Sequence, residues 1–255
     1  MTRRRAALLA LLLGLGILPL RADMPPPPGL PIKNEPYNGK FTFIRISFRP
    51  ALWGRGPYEW GLDLGWNHDY PRGETHFMKI LRETTSVVPN PSSVIYGFDD
   101  PEVYKYPFAY VSEPGRWSVN EKEVAGLRAY LLKGGFVMFD DFLGRDFVIL
   151  EDVMARAMPG LRFQDVPLEH PVWDSFFKIG EPPRWHPIQQ FAREPSRYLG
   201  LFEGNDPKGR LIAIANYNND IGEYWEFSDT GWVPIELSNE AYKLGVNYVI
   251  YALTH

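Results

Sequence analysis

Cysteine is absent from this chain of 255 residues. That excludes a disulfide framework, a thiolate zinc site, an iron–sulfur cluster and a cysteine nucleophile. No excess of positive charge is present either. The formal charge of −4 gives no basic footprint for nucleic acid. Hydrophobic runs long enough to cross a bilayer are missing, since about 20 apolar residues are needed. There is no internal repeat and no Gly-x-Ser-x-Gly elbow. What is plentiful is aromatic and proline residues: 8 Trp, 14 Tyr, 16 Phe and 24 Pro.

Arg3, Arg4 and Arg5 precede an apolar run from Ala6 to Leu18, then Pro19 and Leu20-Arg21-Ala22. This pattern reads as a secretory signal peptide over residues 1–22, with an uncleaved anchor as the alternative. The protein is therefore expected in the periplasm or outside the cell, without a membrane span after cleavage. Losing residues 1–22 leaves 23 basic against 31 acidic residues, a charge of −8 that disfavours anionic partners. Pro25 to Pro28, Gly29 and Pro31 form a proline-rich linker over residues 23–39. One domain, residues 40–255, follows.

Apolar spacing predicts a first strand over Phe41 to Phe48, a long loop over 49–73, and a helix through Phe77, Ile80, Leu81 and Thr84. Short strands are expected at 94–96 and 108–111. Ser118-Val119-Asn120-Glu121 fits a capping box, ahead of a helix burying Val124, Leu127, Leu131 and Leu132. Gly134-Gly135 ends it, and Phe136 to Phe139 reads as a strand buried on both faces. A helix over Phe147 to Ala157, a strand at 161–166 and a helical piece at 173–177 come next. A hairpin (198–202 with 211–215) precedes a last helix from Asn239 to about Leu253 that turns Ala241, Leu244, Tyr248 and Ala252 inward. Strands alternating with helices imply a three-layer α/β/α sandwich around a mostly parallel sheet.

The segments FTFIRISF, WNHDYPRG, KYPFAYV, LRAYLLKGGFVMFDDF, PLEHPVWDSFF, NYNNDIGEYWEF and AYKLGVNYVIYALTH occur in that order. Together they resemble the domain-of-unknown-function family 4159, found in bacterial envelope proteins, and the likeness covers nearly all of residues 40–255. The resemblance implies a fold like that of class I glutamine amidotransferases, a flavodoxin-like sandwich. It implies no activity. Glutaminase chemistry needs a cysteine that this chain lacks, and fold does not carry function.

In open parallel sheets ligands sit beyond the carboxyl ends of the strands. Asp140 and Asp141 follow the 136–139 run and so belong there, as an acid/base pair, as cation ligands, or as caps and loop acceptors. His170 is expected to approach them, as proton shuttle, metal ligand or plain loop hydrogen-bonder. His68, Asp69 and Tyr70 end the first long loop at the same edge. Asn216, Asn218, Asn219, Asp220, Glu223 and Glu226 read either as a turn or as a polar wall of that cleft. The loop aromatics Trp53, Tyr58, Trp60 and Trp66 suit a sugar ring or a partner, or else bury themselves. No motif calls for a cofactor, but Asp140, Asp141 and His170 admit a divalent metal, in a site to which His68 and Asp69 would add polar groups.

The missing nucleophile favours a non-catalytic binding domain of the envelope, taking a protein or glycan partner. The alternative is an envelope hydrolase using Asp140, Asp141 and His170. A purely structural envelope component is the third reading.

Overall fold

The computed structural model describes residues 34–51, 64–184 and 194–255. The leader, most of the proline-rich stretch, and Trp53, Tyr58 and Trp60 lie outside the described residues. One sheet of seven strands organises the domain, in the order β2-β1-β3-β4-β7-β6-β5. These are β1 (Ile44–Ile46), β2 (Val94–Tyr96), β3 (Phe108–Ser112), β4 (Phe136–Phe142), β5 (Gln164–Asp165), β6 (Arg197–Phe202) and β7 (Leu211–Tyr217). Strands β2, β1, β3, β4 and β7 run parallel, while β6 is antiparallel to both β7 and β5. The expected hairpin is therefore present and extends an otherwise parallel sheet.

Alternation along the strands sorts side chains onto two cores. Ile44, Ile46, Ala109, Val111, Val137 and Phe139 face α2 (Glu121–Leu132) and α3 (Asp146–Ala157). Phe43, Phe108, Tyr110, Phe136, Met138 and Ile214 face α1 (Arg72–Thr84), α4 (Ile221–Glu226) and α5 (Ile235–Thr254). Helices thus cover both faces, as a sheet of buried parallel strands requires. Among the described residues no helix is long and apolar enough to cross a membrane.

Several elements depart from the sequence reading for local reasons. Strand β1 keeps three ladder residues, although bonds from Asn90 N to Phe41 O and from Val94 N to Phe43 O prolong its pairing. The capping box is formed by Asn120 and Glu123, two residues later than expected. Asn120 Oδ1 accepts from the amides of Lys122 and Glu123, and Glu123 accepts from Asn120 N. Both frames carry the same pattern, and the one seated in the fold is the one whose Glu123 also meets Trp117 Nε1. Leu132 is 65% exposed instead of inward. Helix α5 begins at Ile235, directly after Pro234 and four residues before the expected start at Asn239; Ile235 and Glu236 are exposed, so the opening residues add nothing to the buried stripe. The strand at 161–166 shrinks to an edge pair, and the piece near 173–177 is a 3-10 turn at Pro171–Trp173.

Candidate metal centre

The parallel strands diverge in connection on either side of the β1/β3 pair, which places a crevice at their carboxyl ends. Four non-glycine residues with positive φ gather along that edge: Asp69 (63°), Glu113 (44°), Asp141 (56°) and Asn218 (54°). Each follows a different parallel strand or lies at its end. Backbone held in this sparsely populated region concentrates at functional sites.

Asp140 and Asp141 have separate roles. Asp140 is wholly buried on the row shared by Ser112 and Asn216, the face of Tyr110. Its carboxylate accepts from Tyr110 Oη (3.1 Å), Asn216 Nδ2 (2.9 Å) and the Gly222 amide (2.9 Å). It thereby ties the start of α4 to β4. Burial pushes its pKa up to about 6, against those hydrogen bonds. Asp141 should point to the other face by strand alternation. Its positive φ and the register shift between Phe139 and Phe142 turn it back, so that Oδ2 lies 3.0 Å from His68 Nδ1.

His68 and Asp69 are carried by the segment leading into α1, and a buried arginine grips that segment. Arg45 on β1 donates through Nη1 to the carbonyls of Trp66 (2.9 Å) and His68 (2.7 Å), and through Nε to Glu74 (2.5 Å). Asp69 Oδ1 is 3.3 Å from His68 Nδ1. Gly222 is glycine because the carboxylate needs its space. A Cβ there would come within 2.4 Å of Asp69 Oδ2 and 2.7 Å of Tyr110 Oη.

Helix α4 closes the arrangement. Asp220 caps it, Oδ1 accepting from Glu223 N at 2.9 Å. Two sets of ligand atoms result, His68 with Asp69 and Glu223, and His68 with Asp141 and Asp220; within each set all atoms lie within 4.8 Å of one another. The cluster opens to solvent at His68, whose side chain is 37% exposed, and at Asp141, 15% exposed. Burial raises the pKa of Asp69, Asp220 and Glu223, reinforced in each by neighbouring carboxylates. Burial disfavours charge on His68 too, but contact with Asp141 and the charges of Asp69 and Glu113 outweigh it and push its pKa up to about 11.

These carboxylates crowd together with too little positive charge among them. A divalent cation relieves that crowding, and a mixed imidazole and carboxylate set suits Mn²⁺ or Zn²⁺. The residues present therefore fit such an ion.

Other expected site residues lie elsewhere or serve the fold. His170 sits at the opposite edge of the sheet, near the start of β7. Its Nδ1 accepts from Val172 N and its Nε2 bonds Gly209 O, and its ring packs on Phe202 and Tyr251. Burial lowers its pKa, so it is a neutral structural histidine rather than a partner of the aspartates. Three residues of β4, Val137 to Phe139, separate its neighbourhood, at Phe136, from Asp140. A cavity of about 550 Å³ adjoins it, lined by Trp173, Ile179, Lys178 and Glu169, far from the carboxylates. Trp66 is 5% exposed and belongs to the core. Tyr70 is half-buried beside Arg45. Asn216 is wholly buried between Asp140 and Tyr248, and Glu226 is half-buried at the margin near Glu223.

Glu223 was visible only as part of an acidic turn, because a six-residue helix leaves no period to recognise. Arg45 and Gly222 carried no sequence signal beyond an arginine and a glycine among apolar neighbours. No curated protein matches the chain. A family model described as a domain of unknown function (DUF4159) matches residues 57–253, which takes in every member of the His68 and carboxylate cluster, and the chain belongs to that family.

Proposed function

We propose that this is an exported envelope domain that acts through a divalent cation held by His68, Asp69, Asp141, Asp220 and Glu223, as a hydrolase of an envelope component. The observation that carries the proposal is that two sets of groups meet at partly exposed His68, Asp69 with Glu223 in one and Asp141 with Asp220 in the other, drawn from three separate segments. A bound cation supplies Lewis acidity and an acidified water. Asp140 and Arg45 fix the segments that carry the ligands. The hydrolase alternative thus survives with His68 in the place expected of His170. The binding-only reading rests on the missing nucleophile and on the loop aromatics, of which Trp66 is a core residue and Trp53, Tyr58 and Trp60 lie outside the described residues.

The finer fold assignment belongs to the same proposal. The parallel strands run β2-β1-β3-β4-β7, the order of a flavodoxin-like sheet with its fifth strand supplied after the inserted hairpin partner. That order supports the amidotransferase-like frame. Export rests on the basic and apolar leader.

Metal analysis of the full-length protein after loading with Mn²⁺ or Zn²⁺ tests the centre. Stoichiometric uptake, lost in Asp141→Asn and Asp220→Asn, is the expected result. Equal uptake by both variants would overturn it. N-terminal sequencing of the cellular protein tests export, and a chain beginning at Met1 would count against cleavage after Ala22.

A further inference from the structure

The charge around the cluster restricts what a cation there could receive. Beyond the four carboxylates of the cluster itself, Glu113 acts on His68, Asp146 lies within reach of Asp141, and Glu226 acts on Glu223. Facing these seven groups, among the described residues, are two guanidiniums, both committed: Arg45 to Glu74 and Arg116 to Glu113. Arg45 is matched by Glu74, outside the seven, so Arg116 alone offsets one of them, and a divalent cation offsets two of the remaining six negative charges when all seven carboxyls are ionised and His68 is a neutral ligand. An approaching phosphate would therefore meet net repulsion at close range, inside a site where screening by salt is weak.

A second observation points to a ligand with hydroxyl groups. Ser112 ends β3 in register with Asp140, on the face where Asp140, Tyr110 and Asn216 project toward α4 and the Asp69 segment. Its Oγ is fully buried and has no hydrogen-bond partner. A buried hydroxyl left unmade is costly, so this edge keeps a donor and acceptor ready for something that enters. Carboxylates likewise accept from hydroxyl donors, and vicinal hydroxyls ligate hard cations.

We infer that the ligand of this centre is a neutral, hydroxyl-rich molecule of the carbohydrate class, and that phosphates and other polyanions are turned away. The inference rests on the cation reading above. The surplus of carboxylates serves twice, holding the ion and then accepting hydrogen bonds from a polyol that brings no charge of its own.

The test uses full-length protein loaded with Mn²⁺ and follows water-proton relaxation, which reports solvent on the bound ion. Mannitol is titrated in parallel with inorganic phosphate, with electron paramagnetic resonance confirming that Mn²⁺ stays bound. The expected result is displacement of bound water by mannitol and little change with phosphate. In Glu113→Gln/Glu226→Gln, whose side chains lie at the margin, phosphate should gain severalfold in apparent affinity. Displacement by phosphate in the unaltered protein, or indifference to mannitol while Mn²⁺ remains bound, would overturn the inference and leave the cation reading standing. Failure to take up Mn²⁺ or Zn²⁺ would remove both.

Discussion

Raising the pH should weaken the cation-free protein while strengthening its hold on a cation, the reverse of ordinary acid lability. Asp140 moves from the usual 3.8 to about 6 on folding. At about 1.4 kcal/mol per unit this buried group contributes ~3 kcal/mol. The folded state binds this proton more tightly than the unfolded chain does. The contribution is therefore full below pH about 4 and is lost as pH rises through about 6. Asp69, Asp220 and Glu223 are shifted in the same direction. His68, pushed up to about 11, adds a contribution that is full below its ordinary 6.5 and falls away above it. Cation ligation needs these groups deprotonated, so the ion's contribution grows as theirs fades. At 100 times its dissociation constant it adds ~2.7 kcal/mol, or roughly 5–10 °C in Tm for a domain of this size. Urea unfolding followed by tryptophan fluorescence at pH 5 and 7.5, with EDTA or Mn²⁺, measures both effects. An EDTA-treated protein that gains stability between pH 5 and 7.5 would refute the reasoning, as would an equal Mn²⁺ effect at the two pH values.

Five substitutions separate the site from its scaffold. Asp141→Asn should abolish cation uptake with unchanged or raised stability, whereas Asp140→Asn should cost ~1–3 kcal/mol by giving up an acceptor at the start of α4; paired denaturation and metal analysis would show the contrast. Gly222→Ala should cost ~1–3 kcal/mol and weaken cation binding, since its Cβ would displace Asp69; calorimetric titration with Mn²⁺ reads the second effect. Trp66→Ala should lose ~3–5 kcal/mol in urea unfolding as a core deletion. His170→Phe should leave cation affinity unchanged and cost ~1–2 kcal/mol for the unpaired Val172 amide, and any large loss of Mn²⁺ binding would contradict its placement at the far edge.

Layering was legible in the sequence because it depends on repeated signals. The 136–139 run could only be a strand buried on both faces, and α2, α3 and most of α5 show their apolar stripe. Elements shorter than a period were not legible. Helix α4 has six residues, all but one of them buried, so no polar face marks it as a helix. His170 was misplaced for a related reason. A parallel strand at 161–166 would deliver the following residues to the carboxyl edge. Strand β5 is instead a two-residue antiparallel edge strand, and the chain beyond it emerges at the other end of the sheet.

The adjacent aspartates show how far local pattern reaches and what it omits. Two consecutive strand residues face opposite sides, so Asp140 and Asp141 cannot serve one site unless the backbone bends between them. The bend exists because the ladder between β4 and β7 slips after Phe139 and Asp141 takes a φ of 56°. Aspartate tolerates that conformation better than most residues, but nothing in Phe-Asp-Asp-Phe demands it. It is imposed by long-range contacts: Asn218 N bonds Phe142 O, and Asn218 Oδ1 accepts from Gly144 N, seventy-four residues away in the chain. Asp140 is thus spent on holding α4, and Asp141 is released toward His68. The pair that the sequence offered as one catalytic unit is a scaffold residue beside a site residue, and it is β7, through Asn218, that makes the distinction.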